Sequence, residues 1–276
     1  MSALALEPLD SASATRIVEH CASLFEQTLA DRLVAAYALG SLAHGGFAPA
    51  VSDIDLGLVL ADRRDDDDET IRRVTRELQQ KGSSYQRLSV FWSSLPALRA
   101  DGDDGRFPAV DRLDLGRSGL LLLGEDVRPE VARPSAHALL TDGIRFALQV
   151  LAAAPVVVEF RDPARLASDI HRFTKAVLLP VRFLYTAATA DIGSTDDAVE
   201  RHLAQPAPVA ADLVRAAMRA RQGQPDSAEQ LTELLRVELI PLYLAYIDGC
   251  LPALTPADGE LAQGLTDWRT RLLNPA

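Results

Sequence analysis

The amino-acid sequence predicts an α/β or α+β domain followed by an all-α helical bundle. Three observations carry this reading. Up to about residue 127, short apolar runs with glycine at their ends alternate with amphipathic segments, the order in which strands and helices share one sheet. The composition shifts at residues 129–134. Beyond that point the strand signal nearly vanishes and apolar residues recur at helical spacing. A chain of 276 residues is long enough for two ordinary domains, placed here at residues 1–132 and 133–276.

The elements follow in order. Residues 11–31 carry Ile17, Cys21, Leu24, Phe25 and Leu29 at helical spacing, and Ser11 or Ser13 can cap them. Residues 33–40, LVAAYALG, read as a buried strand with a glycine at its end. After a glycine-rich turn, residues 53–60, DIDLGLVL, read as a second strand. The acidic run at 65–69 reads as a solvated loop leading into a helix over 70–80, because acids favour a helix start. Residues 86–94, rich in Val and aromatics, form a third strand, and 118–127 a fourth, with the DGDDG loop at 101–105 between them. In the second half, residues 135–154, 163–189 and 227–250 read as helices, joined through loops at 205–209 and 222–227. Pro180 and Pro241 are expected to kink or break the helices that hold them.

The chain is 48% hydrophobic and 24% charged, the balance of a globular protein, which excludes wholesale disorder. No stretch reaches the roughly 18 uncharged apolar residues of a membrane helix, so no membrane partner is expected. The N-terminus carries Glu7 and Asp10 and lacks a basic start ahead of a long apolar run. It does not read as a secretory signal, and a cytoplasmic location is expected. Cys21 and Cys250 then read as free thiols. With 39 acids against 28 basic residues the net charge is −11, a field that repels nucleic-acid backbones, so no nucleic-acid partner is expected.

The chemistry concentrates in YALGSLAHGGFAPAVSDIDLGLVL. Gly40 and Ser41 follow a strand directly. A glycine there lets the backbone turn sharply, the following N–H groups can point at an anion, and the Ser41 hydroxyl adds a donor for a phosphate oxygen. Asp53 and Asp55 alternate along the next strand, so both carboxylates point to one side while Ile54 and Leu56 face the core. Alone, two acids two apart occur at many exposed strand ends. Opposite a phosphate turn they are what a hard divalent cation requires, since Mg²⁺ is commonly shared between carboxylates and substrate phosphates.

The run of Gly-Ser, eleven residues, then Asp-Ile-Asp-Leu resembles the nucleotidyltransferases of the DNA polymerase β superfamily, with closest likeness to the streptomycin/spectinomycin (aminoglycoside) adenylyltransferases. A weaker likeness lies in KAVLLPVRFLYTAATADIGSTDDAVERHL. The resemblance implies a nucleotidyltransferase domain with a mixed sheet ahead of the helical bundle. It implies that Asp53 and Asp55 are catalytic and hold Mg²⁺, and that Gly40 and Ser41 grip the triphosphate of ATP. Arg182 would meet the nucleotide from the helical domain. AMP would pass from ATP to a hydroxyl of a small-molecule acceptor, with release of pyrophosphate.

Several positions depart from that pattern. The third carboxylate, expected on the next strand as general base, is matched by Ser89. Asp111 and Asp114 are the nearest acids in sequence that could supply the base, but they sit three apart, as on a helical turn, where solvent exposure or capping is the simpler role. A nucleotide-binding lysine is replaced by Thr195, and an acid that grips the aminoglycoside by Arg172. Two other readings therefore stand beside the enzyme: a catalytically weak or inactive nucleotide-binding module, and a protein-modifying nucleotidyltransferase. His44 reads as a polar loop residue or a phosphate or acceptor contact. Neither His171 nor His202 has metal-ligand spacing to a partner. Asp101, Asp103 and Asp104 do not form a calcium loop, because Arg112 stands where the closing acid is required.

Overall fold

The computed structural model describes residues 8–274, and Glu7 lies outside the described residues. The chain divides into two compact units, one ending at Pro134 and the other starting at Ser135. The first is α+β with a mixed sheet and the second is all-α.

The first unit opens with helix α1, Ser11–Leu29. Asp10 caps it rather than Ser11 or Ser13: its carboxylate accepts the Ser13 N–H at 2.8 Å, and Ser11 is already the first helical residue. The sheet contains β1 (Leu33–Leu39), β2 (Ile54–Leu60), β3 (Leu88–Ser94) and β4 (Leu120–Gly124), in the order β3-β2-β1-β4. Strand β1 runs antiparallel to β2 and β4, and β2 runs parallel to β3. Between β1 and β2 lies a single helical turn, α2 (Gly40–Ala43), and between β2 and β3 lies α3 (Asp67–Gln79). Two short helices follow β3, α4 (Leu95–Arg99) and α5 (Ala109–Ser118).

Period-two alternation sends the strand side chains to two cores. Ala36, Ile54, Leu56, Leu58, Val90 and Trp92 pack against α1 and α3 through Val18, Phe25, Ile71 and Val74. Tyr37, Leu39 and Val59 face the other way, onto Leu98, Phe107 and Leu115 from α4, α5 and the loop between them. Trp92 is thus a core residue, with the Arg63 guanidinium lying over its ring.

The acidic run at 65–69 is solvated at Asp65, Asp66 and Glu69, and acids do fill the first turn of the helix, but Asp67 is an exception. Helix α3 already begins at Asp67, which is 1% exposed. Its carboxylate accepts from Arg32 at 2.6 and 2.9 Å and from the Arg64 N–H at 2.7 Å. Asp104 likewise turns inward, accepting from the Ser94 N–H and the Ser93 hydroxyl, each at 2.9 Å, which ties the DGDDG loop to the end of β3.

The second unit holds α6 (Ala136–Phe146), α7 (Ala154–Glu159), α8 (Pro163–Ala167), α9 (Ile170–Thr189), α10 (Thr195–Leu203), α11 (Ala211–Arg221), α12 (Ala228–Cys250) and α13 (Gly259–Leu273). The helix expected over 163–189 is broken at Asp169, whose side chain accepts the Arg172 N–H and so caps a fresh start. The one expected over 135–154 passes into a π turn at Ala147–Leu151 and stops before α7. Pro180 and Pro241, by contrast, lie inside continuous helices. The lost backbone bond is outweighed by packing of the flanking residues: Val177, Leu178 and Val181 around the first, Leu239, Leu242 and Tyr243 around the second, are all buried. No helix among the described residues is long and apolar enough to cross a membrane.

Candidate functional site

Strand β1 ends at Leu39 and the chain turns at Gly40 with φ +61°. A Cβ at this position would run into the Asp55 carboxylate oxygen Oδ2, closer than real Cβ contacts allow. Glycine is therefore required twice, for the left-handed backbone and for the close approach. Gly40→Ala is expected to destabilise the first unit by at least about 1–2 kcal/mol and to push Asp55 off the turn, read as a lowered melting temperature. An unchanged melting temperature would contradict this. Ser41, next in α2, is half-buried, and its hydroxyl makes no hydrogen bond among the described residues.

Asp55 is the second residue of β2 and lies in register between Leu39 of β1 and Ser89 of β3. Ile54 and Leu56, on either side, are fully buried on the opposite face. Ser89 is thus abreast of Asp55, half-buried, with no hydrogen bond from its hydroxyl among the described residues. Asp53 lies just ahead of β2, where its charge acts on Arg87. That arginine is 2% exposed, with Nη1 donating to the carbonyls of Pro49 at 2.7 Å and Ser52 at 3.3 Å. Burial pulls its pKa down and the Asp53 carboxylate partly restores it. Asp53 therefore has a buried cationic neighbour, one that no local pattern announces.

The acid with the most defined role is Asp114, on α5. Solvent exposure or capping was the simpler expectation, yet it is 6% exposed. Its Oδ2 accepts the Gly40 N–H at 2.7 Å and its Oδ1 bonds His44 Nε2 at 2.7 Å. The N–H of Gly40 itself is thus taken by a carboxylate. Asp111 is half-buried one turn earlier on the same helix.

The donor set bears on a metal. Among the described residues no group of three or more His, Cys, Asp or Glu is gathered as for a protein-only cage. A pair of carboxylates at a phosphate turn fits the other mode of Mg²⁺ binding, in which substrate phosphates and water complete the shell. Asp55, lodged against the Gly40 turn, fits that mode.

In the second unit, Arg182 is exposed on α9 and makes no hydrogen bond or ion pair among the described residues. Its charge acts on Arg221, at the end of α11, whose pKa is lowered by burial and then by Arg182, against the pull of Asp196. Two arginines near one another favour an anion, and Arg221 is a neighbour the sequence reading missed. Arg172 is paired with Glu159 at 2.8 Å, and Thr195 starts α10. His202 is buried, with Nε2 on the Val209 carbonyl. Cys21 and Cys250 are buried free thiols. Burial pushes them up to about 12 and about 11, so neither supplies a thiolate near neutral pH.

Comparison with protein-family models and with curated proteins gives no match. Among solved structures, the chain is similar to an adenyltransferase. That structure is spectinomycin adenyltransferase AAD(9) from Enterococcus faecialis with ATP and spectinomycin, at 12% sequence identity and a TM-score of 0.49, covering 94% of this chain and 99% of that one.

Proposed function

We propose that the protein is a cytoplasmic, Mg²⁺-dependent nucleotidyltransferase that moves AMP from ATP onto a hydroxyl of a small molecule. One observation supports this reading: the left-handed turn at Gly40, which Ser41 follows directly in the chain, lies against the Asp55 carboxylate. A triphosphate held by Ser41 would meet a negative side chain there, and the two are compatible only with a cation between them. When bound with the nucleotide, Mg²⁺ supplies charge neutralisation across the triphosphate.

The residues of the chain do the rest. Ser41 Oγ donates to a phosphate oxygen. Asp53 and Asp55 would hold the metal beside the triphosphate. Arg182 binds the nucleotide as a further cation, and a guanidinium suits bidentate phosphate contact. The acceptor oxygen bonds to the α-phosphorus, the bond from that phosphorus to the bridging oxygen breaks, and pyrophosphate leaves. Catalysis here is positioning and electrostatics.

The test is Mg·ATP titration with a pyrophosphate-release assay over spectinomycin, streptomycin and simple sugar alcohols as acceptors. Saturable Mg·ATP binding and acceptor-dependent release are expected. Absence of Mg·ATP binding would overturn the reading. Ser89, standing beside Asp55 where a base is called for, favours one alternative, a nucleotide-binding module without turnover. Binding without release across the whole panel would establish that alternative.

A further inference from the structure

If a hydroxyl is to attack phosphorus, its proton must go somewhere, and Ser89 has no proton-accepting capacity near neutral pH. The Gly40 turn holds another group. His44 closes α2, its own N–H donating to the Gly40 carbonyl at 3.1 Å. The ring is fixed by Asp114 through the 2.7 Å contact at Nε2. An ionised carboxylate only accepts, so Nε2 carries a proton and in the neutral ring Nδ1 bears the lone pair. Nδ1 makes no hydrogen bond among the described residues. The His44 side chain keeps 22% of its surface exposed while the Asp114 side chain keeps 9%. A buried carboxylate thus orients a partly open imidazole, the arrangement that makes histidine an effective base.

The pair is also anchored at the candidate site. The second oxygen of Asp114 holds the Gly40 N–H, and Gly40 is the residue against which Asp55 packs. Asp55, Gly40, Asp114 and His44 therefore form one connected set of contacts.

We propose that His44, oriented by Asp114, is the general base of nucleotidyl transfer in place of the carboxylate absent at Ser89. The proposal rests on the transfer reading above. The acceptor hydroxyl gives its proton to His44 Nδ1 as its oxygen bonds to the α-phosphorus. The electron pair of the breaking phosphorus–oxygen bond leaves with pyrophosphate. The imidazolium so formed is stabilised by Asp114, and it returns its proton to water after release. Asp114 is a positioning residue and touches no substrate.

The experiment measures Mg·ATP affinity and transfer rate separately, with the acceptor from the panel above that turns over fastest. His44→Ala and His44→Gln are expected to lower the transfer rate by about 10² to 10⁴. Mg·ATP affinity should stay within about twofold, since a base acts on the chemical step and not on nucleotide binding. Added imidazole should restore part of the His44→Ala rate. Asp114→Asn still accepts the Gly40 N–H but no longer stabilises a charged ring, so the rate should fall while affinity holds. Wild-type transfer rates in both His44 variants would overturn this proposal alone. So would loss of Mg·ATP affinity in step with rate, which would mean that the pair merely holds the turn. A wild-type protein that binds Mg·ATP and transfers to nothing on the panel would sink both this proposal and the transfer reading.

Discussion

Asp55→Asn is expected to reduce Mg²⁺-dependent pyrophosphate release by on the order of 10³ while the protein stays folded. The size follows from the chemistry assigned to the position. A carboxylate that helps hold the cation on a transferring phosphoryl group contributes several kcal/mol in the transition state, and each 1.36 kcal/mol is about tenfold in rate. The fold should survive because Asn matches the shape of Asp and keeps an acceptor oxygen against the Gly40 turn, while Ile54 and Leu56 continue to fill the core beneath. Asp53→Asn makes an informative contrast. It removes the carboxylate whose charge supports the buried Arg87, so it should lower the melting temperature as well as the rate. Paired measurements of pyrophosphate release and thermal melting on the two variants check this. An Asp55→Asn rate within about threefold of wild type would remove Asp55 from the machinery.

What the sequence disclosed and what it hid divide by the range of the interactions. Strands β1, β2 and β3 were legible because their alternation is local, and so was Gly40, because a glycine directly after a strand signals a turn. The placement of Ile54 and Leu56 beneath Asp55 follows from the same period of two. The role of Asp114 was not legible. Its partners Gly40 and His44 are 74 and 70 residues away, and nothing within α5 announces them. The same is true of the buried Arg87 beside Asp53, and of Arg221 beside Arg182, where packing of α9 on α11 makes neighbours of distant residues. Errors in the helical unit had a different origin. Periodicity alone ran one helix across Asp169, although an aspartate ahead of a helical run is itself a capping signal. At Pro180 and Pro241 the helices are not broken, because tertiary packing prevails over the local cost of proline.

Asp67→Asn should produce the largest loss of stability, about 3 kcal/mol in the first unit at neutral pH, because it breaks a buried ion pair from one side. Asp67 is at the start of α3, and its carboxylate receives two hydrogen bonds from Arg32 and one from the Arg64 backbone, with Arg63 at 3.8 Å. Arg32 keeps a second partner in Asp62 at 3.2 Å, so its charge is not stranded, which holds the loss at the lower end for such pairs. The pH dependence has a definite sign. Burial pushes the Asp67 carboxyl up, but the Arg32 and Arg64 hydrogen bonds and the charges of Arg32 and Arg63 outweigh it, leaving its pKa below the ordinary carboxylate value. A depressed folded-state pKa means stability that is fully present above the unfolded value of about 3.9 and is lost as pH falls through the lower, folded one. The gap between wild type and Asp67→Asn should therefore be constant from neutral pH down to about pH 5 and close below about pH 4. Trp92 lies in the first unit and Trp268 in the second. Urea unfolding followed by Trp92 fluorescence in a Trp268→Phe background isolates the relevant transition. A gap absent at neutral pH, or one that persists undiminished under acid, would mean that Asp67 and Arg32 touch without stabilising the fold.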